Sequence, residues 1–168
     1  RISTTIEGMD KNQGDESSSR IVAPSISGNG KFVAYSTTAT NMVGGDNNKL
    51  QDVFVVEIDS GRVSRASISA DGAEGNGDSP IGQGEKIAIS YDGNWVAFST
   101  KATNLGGNIL LRNWTNNQTI PISTETGLTV SQPVMSRSGG YVVFGTSRQM
   151  DSRYKSSGIF AVVTSAGN

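Results

Sequence analysis

A chain of 168 residues with 35% apolar residues, 17% charged residues and 21 glycines reads as one all-β domain rich in turns. The absence of cysteine excludes disulfides and thiol chemistry, and the absence of histidine weighs against a hydrolytic triad or a zinc site. A net charge of −1 gives no overall electrostatic footprint for nucleic acid, and no apolar run approaches the roughly 20 residues of a membrane-spanning helix.

The chain opens with Arg1-Ile-Ser3, which matches Arg65-Ala-Ser67 further on. Residues 1–4 therefore read as an orphan outer strand. A first residue other than Met with no signal-like segment behind it reads as a processed or excised piece of a longer protein. A polar loop over 4–23 leads into a first strand at 24–27, opened by Pro24, where a missing N–H costs little. A turn at 28–30 precedes a second strand at 32–37, apolar on both faces and so suited to packing between two sheets. The loop 38–51 leads to a third strand at 52–58, the turn 59–61 and a fourth strand at 62–67.

The same order then repeats. The polar loop 68–86 is followed by strands at 87–90, 95–100, 108–114 and 119–123, and loop 124–131 by strands at 133–136, 141–146 and 158–163. The repeated phrase is PSISGNGKFVAYST at 24–37, IAISYDGNWVAFST at 87–100 and PVMSRSGGYVVFGT at 133–146. A unit recurring about every fifty residues signals a solenoid, propeller or array. The units span 23–69, 86–123 and 132–164, and the third lacks a fourth strand. Matched aromatic positions make Phe32, Tyr35, Trp95, Phe98, Tyr141 and Phe144 the expected core between units.

The Ser-x-[Asn/Asp]-Gly-x-aromatic-Val-Ala-[Tyr/Phe]-Ser core, with Ala39-Thr-Asn-Met42 recurring as Ala102-Thr-Asn-Leu105, resembles the TolB-like, WD-repeat-like bacterial β-propellers. The resemblance covers essentially the whole chain as three repeats. It implies four-stranded antiparallel blades, a mostly non-catalytic interaction role, and an extracellular or periplasmic setting. Propellers close with roughly four to eight blades, so three leave two apolar end faces and an unpaired edge. Two solutions stand open. The chain is part of a longer ring, or two copies join head to tail into six blades as a homodimer, with residues 1–4 of one copy completing the third blade of the other.

Strand direction puts every long loop on one face: 4–23, 38–51, 68–86, 101–107, 124–131 and 147–157. Binding residues concentrate on loops held by a rigid scaffold, so that face is the expected surface for a protein or glycan. Asp46, Asn48 and Asp52 have the 1, 3, 7 spacing of a calcium loop, with Glu57 at position 12 but Gln51 where a glycine belongs. The competing reading is a solvated turn with Asp52 opening a strand. A weaker calcium candidate is Asp10, Asn12 and Asp15. No other cofactor is expected.

Asn41 and Asn104 read as loop staples above the plugs Met42 and Leu105, and Trp114 as an edge-packing or partner-contacting aromatic. The acid pairs Asp15/Glu16 and Asp71/Glu74 are the only hint of glycosidase-like chemistry, against plain surface solvation. Asn113 and Asn117 open formal glycosylation sequons. A non-enzymatic binding scaffold is thus the leading expectation. A carboxylate-based hydrolase or lyase at the channel mouth and a structural segment of a larger surface protein stand beside it.

Overall fold

The computed structural model describes residues 21–81, 84–123, 130–146 and 158–164. They form eleven strands: β1 (Val22–Ile26), β2 (Phe32–Thr37), β3 (Asp52–Glu57), β4 (Val63–Arg65), β5 (Ala88–Ile89), β6 (Trp95–Ser99), β7 (Ile109–Asn113), β8 (Gln118–Ser123), β9 (Val130–Met135), β10 (Tyr141–Thr146) and β11 (Gly158–Val163). The helical content of these residues is one 3-10 turn, Thr103–Leu105. No helix among them is long and apolar enough to cross a membrane. The sheets are β1-β2-β3-β4, β5-β6-β7-β8 and β9-β10-β11, all antiparallel between sequence neighbours. The inner strands meet, β1 against β5 and β5 against β9, which sets the three blades side by side.

The repeated phrase encodes a turn. In the first blade the Ser27 hydroxyl donates to Asn29 Oδ1 (2.7 Å) and accepts from Phe32 N–H (3.0 Å). In the second, Ser90 donates to Asp92 Oδ1 (2.5 Å) and accepts from Trp95 N–H (3.0 Å). In the third, Ser136 accepts from Tyr141 N–H (3.0 Å). A short polar side chain thus satisfies the amide that would otherwise be stranded where the inner hairpin reverses. The glycine closing each turn has positive φ, +83° at Gly93, a region closed to most side chains.

Alternation along each strand sends residues to two faces, and the middle blade buries both against its neighbours. Ala34, Val53 and Val55 of the first blade meet Val96, Phe98 and Leu110 of the second. Trp95, Ala97, Ile109 and Leu111 of the second meet Val142 and Phe144 of the third. We call the side of a blade turned toward the next blade in chain order its forward face. Phe32, Trp95 and Tyr141 all lie on forward faces at the same register, paired with Glu57, Asn113 and Val163 across the sheet.

The expected core holds for Tyr35, Trp95, Phe98 and Phe144, all buried. Phe32 is half-buried, packed against Trp114. Tyr141 departs from the expectation at 55% exposed, because its forward face has no blade in front of it. The expectation of two open end faces is also corrected. On the rear of the first blade Val33, Tyr35, Phe54 and Val56 are buried together with Ala39 and Met42. Among the described residues one apolar end face is open. The first strand of the third blade begins at Val130 and the fourth strand of the first blade shrinks to three residues, earlier and shorter than expected. The proposed outer strand at 1–4 lies outside the described residues, as do Asp10, Asn12, Asp15 and Glu16.

Candidate functional site

The candidate calcium residues do come together, around a guanidinium. Arg65 at the end of β4 sends Nη1 to within 2.6 Å of Glu74 Oε1, 3.2 Å of Asp46 Oδ1 and 3.6 Å of Asp52 Oδ2. Its Nη2 donates to the Gly45 carbonyl (3.2 Å). Asn48 Nδ2 donates to Asp52 Oδ2 (3.0 Å) and to the Gly75 carbonyl (3.1 Å), and the Ser67 hydroxyl donates to Asp52 Oδ1. The Arg65 side chain is only 8% exposed. In this arrangement the guanidinium supplies the positive charge that three carboxylates need in a poorly solvated place. Among the described residues no group of three or more His, Cys, Asp or Glu is placed to hold a metal ion. Glu57 stands apart, accepting from the Ser60 hydroxyl (2.6 Å) beside Arg62.

The carboxyls in this cluster are shifted in opposite senses. Burial pushes Asp52 above its usual range, outweighing the bonds from Ser67 and Asn48 and the charge of Arg65. Burial also pushes Glu74 upward, but the Asn47 N–H and Arg65 outweigh it and leave the carboxyl below its usual range. Asp71, the other half of its proposed pair, is fully exposed and held low by a bond from Ser69 within its own turn. Each acid of that pair is thus tied to its own partner.

The loops over this face are stapled by amides. Asn104 Nδ2 donates to the Glu74 carbonyl (2.7 Å) while its Oδ1 accepts from Asn76 N–H (3.0 Å), and Leu105 is buried below. The staple reading fits Asn104. Asn41 Oδ1 is buried without a hydrogen-bond partner among the described residues. Trp114 takes the edge-packing role: its Nε1 donates to the Gly93 carbonyl (2.7 Å), and its ring meets Phe32 edge-on, 5.6 Å between centroids. Both sequon asparagines are engaged, Asn113 in its own turn with Thr115 and Asn117 as an acceptor for Arg112.

An unexpected cleft lies on the opposite, tight-turn side. Tyr91, Asp92, Ser136, Arg137, Ser138 and Tyr141 line an open space of about 640 Å³. The Arg137 guanidinium lies 3.7 Å from the centre of the Tyr91 ring, a cation–π contact. Tyr91 in turn covers Gly28, where an added Cβ would fall 2.2 Å from the ring. Gly28, Tyr91 and Arg137 are the same position of successive turns, and the backbone links them: Asn29 N–H donates to the Tyr91 carbonyl and Tyr91 N–H to the Arg137 carbonyl, both at 2.9 Å. The sequence signal was present as a tyrosine and an arginine at a repeat position that the first blade fills with glycine. Its meaning depends on neighbouring turns meeting in space. The one carboxylate lining the cleft, Asp92, accepts from Ser90 and Asn94.

No protein-family model matches the chain, and no curated protein does. Solved structures do. TolB from Acinetobacter baumannii matches 89% of this chain at 15% identity with a TM-score of 0.54, and a putative TolB from Agrobacterium tumefaciens matches 95% at 20% identity with a TM-score of 0.53. A structure of prolyl endopeptidases matches 94% at 14% identity with a TM-score of 0.56, over 22% of that chain. A nidogen–laminin complex matches 88% at 12% identity with a TM-score of 0.51, over 46% of that chain. The chain spans 31% and 50% of the two TolB chains. The strand order, the blade-to-blade packing and these likenesses agree: the chain folds as three consecutive blades of a TolB-like β-propeller.

Proposed function

We propose that the chain is a non-catalytic propeller module that binds a protein partner on its long-loop face, as part of a closed ring. The observation that carries this reading is the state of the carboxylates. Asp46, Asp52 and Glu74 are gathered on Arg65, and Asp71 and Asp92 are bonded within their own turns. Hydrolase or lyase chemistry needs carboxyls facing an open cleft at a set separation. Propellers of like fold include a chain of a nidogen–laminin complex, which favours a protein over a glycan as the ligand. A periplasmic or extracellular place belongs to the same proposal, supported by the likeness to TolB.

Either closure, by further blades or by a second copy, seats a blade on the rear of the first blade, where Val33, Tyr35, Phe54 and Val56 are already buried. Calcium at Asp46, Asn48 and Asp52 would compete with Arg65 for the same oxygens, so it has no structural part in this reading.

Cross-linking in an extract of the source cells tests the module. Lys49 and Lys101 are exposed on the long-loop side and Lys31 on the tight-turn side. Links to one protein from Lys49 and Lys101, and none from Lys31, are expected. Turnover of a polysaccharide or peptide that is lost in Asp92→Asn or Glu74→Gln would overturn the non-catalytic reading.

A further inference from the structure

The three inner turns share a backbone course but not a hydrogen-bond polarity. In the first two, the leading serine donates to an acceptor two residues on, Ser27 to Asn29 Oδ1 (2.7 Å) and Ser90 to Asp92 Oδ1 (2.5 Å). In the third, Ser138 stands where that acceptor belongs, and its Oγ accepts from Gly140 N–H (3.3 Å). Ser136 Oγ still accepts from Tyr141 N–H (3.0 Å). Among the described residues neither hydroxyl has an acceptor for its own proton. The same turn brings Arg137, which is exposed and has no ion pair among the described residues. Its guanidinium lies 3.7 Å from the centre of the Tyr91 ring, and the bond from Tyr91 N–H to the Arg137 carbonyl (2.9 Å) holds the two turns together. A cation–π contact engages the face of a guanidinium and leaves its edge N–H groups to donate. One cleft thus gathers a guanidinium and two hydroxyls, all of them donors.

We propose that this cleft binds a small carboxylate carried on a flat apolar body. Arg137 is the one cation lining it. Asp92 beside it has both oxygens committed, Oδ1 to Ser90 and to Asn94 N–H, and Oδ2 to Asn94 Nδ2. One guanidinium balances a monoanion, whereas a dianion would leave excess negative charge next to Asp92. The planar fork of arginine matches the two oxygens of a carboxylate. Tyr91 and Tyr141 wall the space, and its volume of about 640 Å³ is that of a small-molecule site. The third blade supplies every donor and the second blade supplies the Tyr91 wall, so the site does not rest on the ring reading.

The test titrates the full chain with 2-naphthoate at neutral pH and follows the probe by calorimetry. Saturable one-to-one binding is expected, and the neutral isostere 2-naphthamide should bind at least about tenfold more weakly, because it lacks the charge that Arg137 pairs with. Ser138→Asp gives the third turn the chemistry that Asp92 already gives the second, so the Tm should not fall. It takes up the Ser136 proton and sets a negative charge in the cleft, and naphthoate binding should weaken at least about tenfold. Arg137→Gln, at an exposed position, should weaken it as much. Inorganic phosphate should displace the probe no better than sodium chloride of the same ionic strength. No saturable binding up to about 10 mM would overturn the proposal. So would equal affinities for the acid and the amide, affinity unmoved by both variants, or displacement by phosphate. The cross-links from Lys49 and Lys101 read the opposite side of the molecule, so either result can fail without the other.

Discussion

The ring of Phe32 rests directly on Gly93 of the next blade, so close that a Cβ there would fall 2.1 Å from the ring, while the equivalent Gly30 has open space at the same point. Both glycines have positive φ, +71° and +83°. Gly30→Ala therefore meets only the backbone penalty, about 1–2 kcal/mol. Gly93→Ala adds overpacking of about 1–3 kcal/mol against a core ring. Urea denaturation should place Gly93→Ala clearly below Gly30→Ala. Equal midpoints would mean that the two blades do not touch there.

Trp95→Ala removes a buried ring between the second and third blades and should cost about 3–5 kcal/mol. Tyr141→Ala, at the same place on an uncovered face, should change the stability of the chain by less than about 1 kcal/mol. The contrast is the measurement. A large loss at Tyr141 would show that its face is covered in solution.

Arg65→Ala leaves three carboxylates around an empty centre and should destabilise the fold by about 3–5 kcal/mol. Added calcium should leave the Tm of the native chain unchanged and raise that of Arg65→Ala, where the ion can replace the lost charge. A calcium-dependent rise in the native chain would restore the calcium site at Asp46, Asn48 and Asp52.

The same cluster gives opposed pH dependences. Glu74 is depressed below its ordinary 4.5, so it contributes stability above that value and loses it as pH falls through its folded pKa. The exposed Asp71 acts in the same sense. Asp52 is raised above its ordinary 3.8, so its contribution is present below that value and is lost as pH rises through its folded pKa. Asp52→Asn should therefore steepen the loss of stability toward acid, and Glu74→Gln should flatten it. Thermal melts between about pH 3 and 6 read both slopes, and identical profiles for the two variants would contradict the assignment.

Arg112 is buried with neutral partners, donating to the Asn117 carbonyl (2.7 Å), Asn117 Oδ1 (2.9 Å) and Thr119 Oγ1 (2.7 Å). It braces the hairpin between β7 and β8. Arg112→Ala should cost about 2–4 kcal/mol through lost charged bonds and a cavity. Hydrogen exchange should quicken most at residues 113–119. Uniform quickening across all blades would show that the role is not local.

The second strands were legible almost to the residue, because an apolar run such as 32–37 between a Gly turn and a polar loop has one stable solution in a stack of sheets. The inner turns were legible for the same reason: Ser27, Asn29 and Gly30 act within four residues. The Arg65 cluster was read only in part. Asp46, Asn48 and Asp52 share one loop, but Arg65 and Glu74 reach it from a strand and another loop, and no period in the sequence announces that meeting. The cleft at Tyr91 and Arg137 was missed because a tight turn looks featureless until the next turn is laid against it.

The backbone bonds from Asn29 to Tyr91 and from Tyr91 to Arg137 run across blade boundaries at the inner turns. Each inner hairpin is thereby held by its successor, and the stack has a direction. Opening at either end breaks one of these bonds and opening in the middle breaks both, but only the third blade has an uncovered forward face among the described residues. Amide exchange should therefore spread inward from β11, so that the same three-blade sequence melts as a zipper with one preferred end.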